Sequence, residues 1–174
     1  MRLRRKSVEG QPQQPPVTTS GEYFQPGVVR LYQPDRILKK RLPPGGPAEI
    51  AAYIKTLDRV SREYFGRLGQ DFGSMGILIA VGIKPGKRVR FWCEQVDGDI
   101  PAEVWQAFVE LLEGAGQEAL PTVSGPVAWA LEYLLGAGPS TGFPIGPSVW
   151  ADAARTARKR LKIPDTLFEI VFPD

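Results

Sequence analysis

The chain has 174 residues, 43% hydrophobic and 24% charged, which is the composition of an ordinary globular protein and the length of one domain. It has no histidine and a single cysteine, Cys93, which excludes Ser–His and Cys–His nucleophile systems, intramolecular disulfides, and zinc or iron–sulfur sites built from several cysteines. The formal charge of +3 is unevenly placed: residues 1–46 carry nine Lys/Arg against three Asp/Glu, net +6, which leaves the remainder net −3.

Residues 1–27 are rich in Gln, Pro, Ser and Thr. Their apolar groups are too sparse to offset an ordering cost of about 1–2 kcal/mol per residue, so disorder is expected. After a basic start, Gln and Pro stand where an export signal needs an apolar run, and no such signal is expected. Residues 28–32 read as a short strand, and 38–46 as a linker whose prolines forbid regular pairing. Residues 1–46 together form a basic, Pro-rich disordered arm, and 47–174 a single folded domain.

Pro47 suits the first turn of a helix, Glu49 complements its positive end, and Ile50, Tyr53, Ile54, Leu57, Tyr64, Phe65 and Leu68 recur at helical spacing. Gly69 is placed to end it in the left-handed conformation. Residues 75–83, the longest apolar run, are nine in number, whereas a membrane helix needs about 20, so no integral membrane segment is expected. That run and the alternating 88–96 read as an antiparallel hairpin closed by Pro85 and Gly86, where a type II turn wants them. The first strand, apolar on both sides, is expected at the centre of the sheet.

Asp97 and Asp99 offer a carboxylate to the amides of a helix from 100 or 101 to 113, ended by Gly114. The nearly all-apolar 127–135 reads as a buried helix, 136–147 as a Gly/Pro-rich connection, and 148–161 as a helix with a basic last turn. Residues 166–172 read as a strand, although Pro164 and Asp165 could equally open a helical turn. The fold expected is α+β: two layers, an antiparallel sheet of three or four strands with helices packed mainly on one face, behind the disordered arm.

Residues 77–113, a hairpin with a Pro-Gly turn leading into an amphipathic helix, resemble the hairpin–helix unit of TonB-type C-terminal domains. The resemblance covers about a fifth of the chain and implies the fold of that unit alone; no site residue or activity follows from it.

Without histidine, catalysis would rest on carboxylates, Lys, Tyr or Cys93. Alternation puts Cys93 on the face of Val89 and Phe91, away from Arg88 and Arg90, the setting of an inert core thiol. Asp97, Asp99 and Glu103 lack the further oxygen ligands of a calcium loop, and residues 136–142 lack the lysine and spacing of a phosphate loop. No catalytic residue, metal ligand or cofactor is expected. The leading expectation is a cytoplasmic, non-enzymatic interaction or adaptor protein. It would bind another protein or assembly through the arm and a Trp/Arg strand face, with Arg88, Arg90, Trp92, Phe143 and Ile145 as contacts; a homo-oligomer is a separate option left open by the sequence. The alternative is nucleic-acid binding by the arm (Arg2, Arg4, Arg5, Lys6, Lys39, Lys40, Arg41), the hairpin arginines and the last basic helix (Arg155, Arg158, Lys159).

Overall fold

The computed structural model describes residues 24–136, 142–157 and 165–174. Around Pro85 and Gly86 the chain forms the expected hairpin, with Gly86 at φ 84°. Its strands are β2 (Met75–Lys84) and β3 (Arg88–Val96), which pair antiparallel from Gly76 opposite Val96 to Lys84 opposite Arg88. Every residue of β2 is buried, as its apolar run requires, and β2 lies between β3 and β4 (Val127–Leu135). Beyond β4 comes β1 (Phe24–Leu31), giving a four-stranded antiparallel sheet of order β1-β4-β2-β3.

Two expectations are corrected here. Residues 127–135 form a central strand and not a helix: Val127, Trp129, Leu131, Tyr133 and Leu135 face one layer of the core, while Ala128 and Ala130 face the other. Part of the segment expected as a disordered arm is ordered. Residues 24–31 form β1, residues 35–41 form the helix α1 (Asp35–Arg41), and only 1–23 of the proposed arm lie outside the described residues. Gln33 fixes this segment to the start of β4, donating from Nε2 to the Pro126 carbonyl at 2.8 Å and accepting from the Ala128 amide at 3.0 Å.

One face of the sheet packs on the two long helices, α2 (Gly46–Leu68) and α3 (Ala102–Glu118). Tyr53 and Leu57 from α2 and Phe108 and Leu112 from α3 meet Ile77, Ile79 and Val81 there, each such side chain contributing about 1.5–3 kcal/mol on burial. Gly69, at φ 57°, ends α2 as expected. The N-cap position of α3 is not taken by Asp97 or Asp99 as expected. The residue before the helix is Pro101, without a side-chain cap, and the amide of Ile100 donates to Gln95 Oε1. The helix also continues past Gly114. A Cβ on Gly116 would stand 2.3 Å from the Phe91 ring, so that glycine serves close packing and not termination.

The second face carries small residues, Ala80, Gly82, Ala128 and Ala130, and is covered by α4 (Ser148–Ala157) and α5 (Asp165–Val171). A Cβ on Gly82 would come within 2.5 Å of the Phe168 ring, so the bare backbone there is the seat for α5. Residues 166–172 therefore belong largely to a helix where a strand was the leading expectation, with Leu167, Phe168 and Val171 turned inward. Among the described residues no helix is long and apolar enough to cross a membrane.

Candidate functional site

The residues expected to bind a partner do not form one exposed surface. Trp92, on β3, is buried beneath Trp150, Phe168 and Phe172, with the Trp150 ring 5.1 Å away and nearly perpendicular. The small residues of the neighbouring strands admit the helices that cover it, which corrects the expectation of Trp92 as a contact residue. Arg90 stays exposed with its guanidinium 5.5 Å from the Trp92 ring centre. Arg88 pairs with Asp174 at 2.8 Å. Phe143 is half-buried and packs against Gly76, whereas Ile145 is 77% exposed. The Ile145 carbonyl accepts a hydrogen bond from the Tyr32 hydroxyl at 2.8 Å. Burial pushes that phenol up to about 12, with Arg30 opposing, so it remains a neutral donor.

The basic residues are dispersed and largely matched by carboxylates. Lys39 pairs with Asp35 at 2.7 Å, Arg155 with Asp152, and Arg41 with Asp165 at 2.7 Å while also donating to the Pro126 carbonyl. Lys40 is exposed on α1. Arg2, Arg4, Arg5, Lys6, Arg158 and Lys159 lie outside the described residues. Cys93 packs against the α2/α3 core, and burial, with Glu113 and Glu94 adding, pushes its thiol up to about 12.

The most distinctive exposed surface was not singled out by sequence: the outer edge of β1. Val28, Val29 and Leu31 are 62%, 44% and 52% exposed, an unusual run of apolar side chains on a strand end-on to solvent. Two shallow apolar grooves flank it. One, of about 210 Å³, lies between Leu31, α1 and α2, over Leu38, Leu42 and Ile50; the other, of about 230 Å³, lies between Gly27, Val29 and Ile54. Among the described residues no strand pairs with this edge.

Its backbone polarity follows from the ladder. Tyr32 donates its amide to the Ala128 carbonyl at 3.3 Å, so Tyr32 turns its polar groups toward β4. In an antiparallel strand these directions alternate, and Leu31 and Val29 accordingly turn theirs outward. A bulge between Pro26 and Val29 interrupts the register, with Gly27 against the Glu132 carbonyl where a Cβ would stand only 2.7 Å away. On the sheet's other face Arg30 donates from Nε and Nη2 to Glu132 Oε1, at 2.9 and 2.5 Å. The strand's one charge is thereby matched from within the fold.

The opposite edge differs. The charged side chains of β3 are Arg88, Arg90 and Glu94; Arg88 pairs with Asp174 and Glu94 accepts from the amide and hydroxyl of Ser148, which leaves Arg90 as the exposed charge that discourages strand addition. The exposed Val-Val-x-Leu of residues 28–31 is legible as a sequence, but its position on an edge follows only from the long-range pairing with β4. No family model matches the chain, and no curated protein or solved structure matches it.

Proposed function

We propose that this chain is a non-enzymatic protein-interaction module that docks its partner along the outer edge of β1. The observation that carries the reading is the contrast between the two sheet edges: an apolar one with outward backbone groups and flanking grooves, and a charged one. Strand addition at such an edge draws affinity from main-chain hydrogen bonds and selectivity from alternate side chains in adjacent pockets. The nucleic-acid reading has less support, because Arg41 and Arg155 are engaged with carboxylates and Trp92 is withheld from stacking. A photo-crosslinking amino acid placed at position 29 of the full chain, expressed in its native host, should yield a protein adduct, whereas the same group at position 90 on β3 should not. Absence of an adduct at 29, or equal yields at the two positions, would falsify the reading.

A further inference from the structure

We infer that the occupant of the β1 edge is a second copy of this chain, the two β1 strands pairing antiparallel about a twofold axis through Val29 to make a continuous eight-stranded sheet. The inference rests on the reading of β1 as the docking edge. Four features specify this partner and this register.

Val29 turns its N–H and C=O outward, so two copies centred on it supply a reciprocal pair of backbone hydrogen bonds. Val29 then meets the partner's Val29, and Leu31 lies beside the partner's bulge at residues 27 and 28, where the glycine offers no side chain. This register keeps Arg30 away from its own copy, whereas one centred a residue later would set Arg30 against the partner's Arg30. The flanking charges are also compatible. Asp35 and Lys39 line the groove beside Leu31, and Lys55 and Asp58 line the groove beside Gly27, so the axis brings one mixed-sign pair toward another.

Symmetry closes the assembly. A twofold contact consumes both exposed edges at once, whereas head-to-tail addition of β1 to β3 would leave edges open and build a filament. The paired segment is short: five residues span about 17 Å, so the strands alone fall short of the roughly 800 Å² per partner of a standard interface and the apolar grooves must contribute. A dissociation constant in the micromolar range is expected.

The test uses the purified full chain. Sedimentation equilibrium should show a monomer–dimer transition, and Val29→Lys should weaken it by at least a hundredfold while leaving the circular dichroism, and the thermal melt recorded well below the dissociation constant, near those of the parent. A second pair of variants tests the register. In the antiparallel hydrogen-bonded pair two Val29 Cα atoms stand about 5.5 Å apart, within disulfide reach, whereas Leu31 and its copy, four residues out of step at about 3.4 Å each and one strand apart, stand roughly 15 Å apart. Oxidised Val29→Cys should therefore run as a covalent dimer and Leu31→Cys as a monomer. A chain monomeric at all concentrations, a dimer insensitive to Val29→Lys, or bridging by Leu31→Cys overturns the inference. A monomeric chain that still crosslinks a foreign protein from position 29 overturns only the choice of occupant and leaves β1 as the docking edge.

Discussion

Replacing Arg30 by Met keeps most of its apolar stem and removes both donors to Glu132, whose side chain is only 6% exposed. A hydrogen bond to a charged group is worth about 1.5–3 kcal/mol, and stranding one partner of a fully buried pair costs roughly 3–5 kcal/mol. Arg30 is itself 35% exposed, so water can partly take its place and the lower range applies. A loss of about 2 kcal/mol is expected for Arg30→Met. The double variant Arg30→Met, Glu132→Met removes the stranded carboxylate as well and should recover to within about 1 kcal/mol of the parent. Urea unfolding of the parent, both single variants and the double variant gives the coupling energy directly, provided the denaturant slope is unchanged. A single variant as stable as the parent, or a double variant whose loss equals the sum of the two singles, would refute the claim that this pair neutralises the charge of β1.

Two further outcomes follow from the titrating groups. The Cys93 thiol, pushed from 9.0 to about 12, carries a thiolate fraction about a thousandfold below that of an ordinary thiol at neutral pH, so native-state alkylation should be slower by a comparable factor and should accelerate on unfolding; alkylation at the rate of a free thiol would contradict the burial described. Hydrogen bonds from Lys84 and Arg88 hold the Asp174 carboxyl below its ordinary 3.8. A depressed carboxyl pKa contributes stability above the unfolded value and loses it as pH falls through the folded one. Asp174→Asn should therefore melt earlier than the parent at neutral pH and together with it at acid pH below the folded value; a difference that persists there would mean that the ion pairs are not its source.

Local patterning carried the reading of the hairpin and of α2. The unbroken apolar run of β2 announced a strand covered on both sides, and Pro85-Gly86 announced its turn. It failed where tertiary context outweighed propensity. Residues 127–135 hold two Ala, three Leu and one Glu, all good helix formers, yet Val127, Trp129, Leu131 and Tyr133 alternate with Ala128, Ala130 and Glu132. That period of two, large against small or polar, was the overlooked signal of β4. Trp92 is covered because the small residues beside it on β2 and β4 make room for α4 and α5, a layer that depends on residues 127–135 being a strand. The β1 edge could not be located from its own residues, since being an edge is a property of the whole sheet.

Strand order also sets a schedule for biosynthesis. β1 is synthesised well before its partner β4, since the contact between Arg30 and Glu132 spans 102 positions, while β2 and β3 are separated by a three-residue turn. At a translation rate of about 5–20 residues per second, the exposed valines and leucine of β1 wait roughly 5–20 s for their neighbour to be made. The apolar β2 waits for β4 as well, so two of the four strands emerge before the strand that lies between them.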